Sequence, residues 1–168
     1  SGVGQEAVVS SSDAAVISDT GKEQLEINKN TLLNGSSEGI RMKAVSLMLS
    51  DPDPLAGKIL LEVLASSENS EARGAICKTL IQSHVEKKQV NNEEQFIEPL
   101  LTVLRTGKDA DSKLAAEALL IFEYDQIGVK LSKLAVNAEL PVSERLNVIY
   151  ALQRQPDINA IFTLLDIL

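Results

Sequence analysis

The 168 residues include one cysteine, one histidine and no tryptophan, and aromatic residues make up only 3%. A lone cysteine cannot close an internal disulfide, and one cysteine with one histidine cannot complete a zinc site. No apolar run approaches the roughly 18 residues that mark a membrane-crossing helix, and no signal-peptide or lipidation motif is visible. The sequence starts Ser1-Gly2 without methionine, which reads as a processed product or an excised piece. A basic excess is also missing. Lysine and arginine number 16 against 24 aspartates and glutamates, a net charge of −8, which argues against a duplex-DNA or anionic-membrane binder. There is no GxSxG, phosphate loop, HExxH, CxxC or dinucleotide fingerprint.

What is abundant is Leu, Ile, Val and Ala. Hydrophobic residues make up 44%, too many for a disordered chain and enough for the core of one domain of this length. Residues 1 to 20 differ from the rest, with Ser1-Gly2-Val3-Gly4, Ser10-Ser11-Ser12 and small apolar side chains. They read as a flexible arm or linker that ends in a short helix. From Gly21 the spacing is helical, and Asn34-Gly35 marks the first stop. Helices are then expected over 37–49, from Pro54 through Leu64, over 70–83, 93–105, 112–122, 126–136, 143–153 and 158–168. Asp51-Pro52-Asp53-Pro54 breaks the chain, with Asp53 as a cap and Pro54 in the first turn. No stretch shows the period-two alternation of a strand, so the expectation is all-α.

A register emerges when alternate helices are overlaid. Arg41, Arg73, Lys113 and Arg145 fall in one column at intervals of 32, 40 and 32 residues. Three residues on come Ala44, Ile76, Ala116 and Val148, and seven residues on Met48, Leu80, Leu120 and Leu152. The longer interval is accounted for by an insertion over Val85 to Asn92. The intervening helices agree too: Leu60-Leu61-Glu62-Val63-Leu64 matches Leu100-Leu101-Thr102-Val103-Leu104. Each unit is then two antiparallel helices, and stacking supplies the core that one unit lacks.

The stretch from Leu60 to Leu80 closes a Leu-rich helix, crosses the acidic turn Ser66-Ser67-Glu68-Asn69-Ser70-Glu71, and opens the next helix with Arg73 three residues before Ile76. This pattern resembles a HEAT-type repeat boundary. The resemblance covers about residues 36 to 168 and implies a right-handed α-α superhelix, an α-solenoid of about four helix pairs near 36–66, 69–106, 110–137 and 141–168. It implies an architecture and not an activity, because such arrays serve many roles.

Several residues invite a chemical reading. The column Arg41, Arg73, Lys113 and Arg145 is expected to be a structural ladder between units, pairing with Glu38, Glu71, Asp111 and Glu144 near the helix starts, rather than a ligand stripe. Glu117 stands in the apolar column of Val45, Cys77 and Ile149, where a helical pair with Lys113 is the simplest account. Cys77 reads as a small buried hydrophobe and His84 as a helix-end residue. Asp51 and Asp53 lack the rest of a calcium loop. Asn34-Gly35-Ser36 fits a glycosylation acceptor but is first a turn signal. Phe122, Tyr124, Tyr150 and Phe162 would hint at recognition where exposed.

No catalytic, cofactor-binding or metal-binding residue is nominated. The expected function is a non-enzymatic protein-interaction or scaffold module, taking a partner protein or peptide on the concave face, with no nucleic acid and no membrane insertion. The alternative is an accessory enzyme of the HEAT-like lyase kind or a small-ligand carrier. The run from Ile158 to Leu168 is apolar at nearly every angle. Ile161, Leu165 and Leu168 are therefore an expected contact surface, and self-association there is one outcome the pattern allows.

Overall fold

The computed structural model describes residues 11–168, with side chains from Asp19 onward. The described residues form nine α-helices and one 3-10 turn and contain no strand, an all-α fold. In chain order the helices are α1 (Ser11–Asn34), α2 (Glu38–Leu49), α3 (Pro54–Ala65), α4 (Ser70–Val85), α5 (Ile97–Thr106), α6 (Asp109–Leu119), α7 (Tyr124–Ala135), α8 (Val142–Arg154) and α9 (Ile158–Ile167). The 3-10 turn Glu93–Phe96 leads into α5. No helix among the described residues is long and apolar enough to cross a membrane.

The first helix departs from the sequence reading. Residues 1–10 of the expected arm lie outside the described residues. Its second half belongs to α1, which runs on through Gly21. Ala14 and Ala15 are good helix formers and no proline interrupts the segment, so the weak apolar pattern conceals a helix. Four later helices, α2, α3, α4 and α9, start at a side-chain cap. Ser37 accepts from the amide of Ile40, Asp53 from Leu55, Asn69 from Ala72 and Asp157 from Asn159. Each satisfies one of the donors that a helix start leaves free.

The helices lie in two rows. Along the even row α2 packs on α4, α4 on α6 and α6 on α8, while in the other row α3 packs on α5 and α7 on α9. Lys130 of α7 reaches Glu98 of α5, which links the two halves of that row. The core runs between the rows through Leu25, Leu32, Met48, Leu60, Leu64, Ile76, Leu80, Phe96, Leu100, Leu104, Leu119 and Ile127, all essentially without solvent contact. The two columns that follow the basic one face this core along the even row: Ala44, Ile76, Ala116, Val148, Met48, Leu80 and Leu152 are buried, and Leu120 is half-buried.

The insertion between α4 and α5 is tied to the stack. Lys87 closes α4 in the left-handed region at φ 55°. Its amide donates to the His84 carbonyl and that of Lys88 to Ser83, the paired bonds of a Schellman ending without its usual glycine. Asn91 then donates from its backbone to the Leu49 carbonyl at 3.0 Å and from its side chain to the Asp51 carbonyl at 2.9 Å.

Candidate interaction surfaces

The basic column divides into two paired and two unpaired members. Arg41 Nη2 meets Glu71 Oε2 at 2.7 Å, linking α2 to α4. Arg73 Nη1 meets Asp111 Oδ2 at 3.3 Å, linking α4 to α6. In both rungs the acid stands two residues before the next member of the column. At the third rung that place is Ser143, so Lys113 has no acid to meet; it is exposed and without a partner among the described residues. Glu144 bonds Arg105 at 2.8 Å instead, joining α8 to α5, and Glu38 bonds Lys78 at 2.6 Å. The Arg145 guanidinium has no acidic partner among the described residues, and its Nε is buried without a hydrogen bond. Of the expected ladder the structure forms the rungs at Arg41 and Arg73, and Lys113 and Arg145 stand unmatched among the described residues.

Side chains of the even row also finish helices of the other row. Arg73 Nε donates to the Leu64 carbonyl at 2.9 Å and Nη2 to that of Ala65 at 3.3 Å, at the end of α3. Asn69 donates to the Leu33 carbonyl at 3.0 Å at the end of α1. Ser112 donates to Leu104 at 2.6 Å and Asn147 to Arg105 at 3.2 Å, both near the end of α5. The last carbonyls of a helix have no partner within it, so each rung of stacking also satisfies an end.

The remaining candidates resolve individually. Glu117 does not pair with Lys113; it accepts from Arg154 Nε at 2.7 Å, across to α8. That bond pushes the Arg154 guanidinium further above its already high range. Cys77 is buried, and desolvation first, then the Asp111 carboxylate, push its thiol up to about 12. His84 is exposed at the end of α4. Asp51 accepts from the Asp53 amide, so both aspartates shape the turn. Asn34 is exposed and donates to Asn30. Phe122 is buried, Tyr124 and Tyr150 are half-buried, and the Tyr124 hydroxyl lies 2.9 Å from Thr163 Oγ1, joining α7 to α9.

Three surface features remain. A cleft of about 420 Å³ lies where the α2–α3 turn meets the stitched insertion, between Pro52, Gly57, Asn91 and Gln95. A shallower groove of about 290 Å³ runs between α5 and α7 over Ile97. Its rim is Glu94, Glu98, Gln126 and Lys130; Gln126 donates to Glu94 at 3.1 Å and Lys130 to Glu98. On α9, Ile161 and Phe162 are each 56% exposed and Leu165 is 58% exposed, while Ala160 is buried; Leu168, just past the helix end, is fully exposed. Of the four aromatics that would hint at recognition where exposed, Phe162 is the exposed one; spacing alone does not say which side of an all-round apolar helix is covered.

Comparisons with models of known protein families, with curated proteins and with solved structures return no match.

Proposed function

We propose that the chain is a right-handed α-solenoid of HEAT type, about four helix pairs long, and that it works as a non-enzymatic interaction module. The observation that carries this reading is the two-row stacking, in which α2, α4, α6 and α8 pack in succession, α3 packs on α5 and α7 on α9, and cross-unit side chains cap the row beside them. Such an array exposes a continuous lateral face whose residues repeat along its length. We take α3, α5, α7 and α9 as the concave row. Its groove over Ile97 offers an apolar floor and a rim of both charge signs, which suits an extended peptide of mixed charge.

A peptide-display selection against the intact protein tests this. Selected binders should lose affinity at least tenfold against the double variant Glu98→Lys/Lys130→Glu. That variant keeps the exposed pair but reverses its polarity, so its melting temperature should stay close to the wild type. Binders that map elsewhere by hydrogen exchange and ignore the reversal would defeat the assignment of the concave row.

A further inference from the structure

Two helices of the stack present large apolar side chains at positions that in α2, α3 and α4 meet a neighbouring unit. Asp157 caps α9 as Asp53 caps α3, and Ala160 and Ala56 are both buried, which fixes the equivalence of the two helices. In that register Ile161 corresponds to Gly57, Leu165 to Leu61 and Leu168 to Leu64. Gly57 faces the Gln95 side chain of the next unit, at 3.1 Å from where its Cβ would stand. Leu61 packs against the core and Leu64 is wholly buried. On α9 the same columns carry large apolar side chains in water.

The even row repeats the observation. Glu38 bonds Lys78 of the following even helix, and Ser70, one unit later in the same column, donates to Asp111 at 2.6 Å. Gly74 faces Leu114 of α6. The corresponding residues of α8 are Val142 and Leu146, exposed on this last even helix. Beside them stands Arg145, the column member that in two earlier units meets an acid from the first turn of the next helix.

We propose that the joint face of α8 and α9 is a docking surface for an amphipathic helical pair whose leading helix carries a carboxylate in its first turn, the carboxylate pairing with Arg145. The face continues the interface that already joins α2 and α3 to α4 and α5, and the unmatched guanidinium supplies the charge complementarity. A second copy stacked head to tail fits less well. In α2 the place two residues before Arg41 is Gly39, which has no acid to offer, and α1 already packs on α2.

The chain contains a probe of the required chemistry. A synthetic peptide of residues 69–106 carries α4 and α5, with Glu71 in the leading first turn, and in the fold it covers the equivalent face of α2 and α3. Fluorescence anisotropy with the labelled peptide against the intact protein should show saturable binding. Leu165→Glu in the protein should abolish it, and that site is exposed enough to leave the fold intact. Glu71→Gln in the peptide and Arg145→Gln in the protein should each weaken binding about tenfold, and together no more than either alone. Absence of saturable binding, or binding indifferent to Leu165→Glu and Arg145→Gln, overturns the proposal. Sedimentation supplies the other overturning result: a wild-type dimer that Leu165→Glu dissolves, without peptide binding, would give the face to a second copy.

Discussion

Arg73 and Asp111 stand 38 residues apart in sequence and meet within the stack, where each residue keeps only 5% and 6% of its surface in contact with water. The same guanidinium bonds two carbonyls at the end of α3, while Asp111 also accepts from Ser70. One buried cation therefore fixes three helices at once. A buried pair with its remaining hydrogen bonds satisfied need not outperform an apolar replacement, but losing one partner strands the other.

Arg73→Ala should therefore cost about 3–5 kcal/mol in urea unfolding, because it leaves the Asp111 charge buried and frees two carbonyls. The double variant Arg73→Met/Asp111→Leu should recover part of the loss. A single variant as stable as wild type would mean that water reaches the site.

Lys78→Ala should change stability by no more than about 0.5 kcal/mol. Its bond to Glu38, at 2.6 Å, is shorter than the 3.3 Å contact of Arg73 with Asp111, but its carboxylate partner is largely solvated, and exposed pairs gain little over their hydration and rotamer entropy. The contrast between Lys78 and Arg73 in one denaturation series separates burial from bond length.

The Cys77 thiol, pushed from 9.0 to about 12, should resist an aromatic disulfide reagent at pH 8 in the folded protein and react at once in denaturant. The pH effect has a definite sign. Above about pH 9 the unfolded chain gives up this proton while the folded one keeps it, so the site's contribution to stability falls as pH rises towards 12. Cys77→Ala should flatten that part of the stability profile relative to wild type.

Gly128→Ala should destabilise the protein by about 1–3 kcal/mol, although alanine is the better helix former. The added methyl would stand 2.5 Å from the Tyr124 ring and 2.7 Å from its hydroxyl-bearing carbon, pushing the ring off its contact with Thr163. With no tryptophan in the chain, tyrosine emission reports the displacement directly, and Tyr124→Leu should relieve most of the clash.

Lys87→Gly should raise stability by about 0.5–1 kcal/mol, since a side chain at φ 55° pays a steric penalty that glycine does not. The gain is net of the greater freedom that glycine has when unfolded. A melting curve lower than that of wild type would show that the lysine side chain contributes contacts of its own.

The all-α class and the helix starts near Ser37, Asp53 and Ser70 were legible because caps, prolines and apolar spacing are local signals. The full extent of α1 was not, since its apolar residues are small and the helix crosses Gly21. Of the candidate surfaces, the apolar load of α9 was visible in its composition, but the basic column was only half readable. The shared column of Arg41, Arg73, Lys113 and Arg145 is a property of the sequence; whether each member meets an acid depends on the residue two places before the next member, across a neighbouring helix. Ser143 breaks the rule there, and Glu117 finds Arg154 across 37 residues instead of Lys113 within its own turn. Partner choice of this kind is decided in three dimensions.

The stitch from Asn91 to Leu49 and Asp51 bears on how such a chain can change its length. The extra residues between α4 and α5 lie outside both rows, held by hydrogen bonds to a turn, while α3 still packs on α5 and α4 on α6. Insertions at this bend need not shift the phase of the helices that follow. The periodicity that matters to the stack is counted in helix pairs, so the bend between α4 and α5 is where sequence drift and grafted loops should be absorbed with least disturbance.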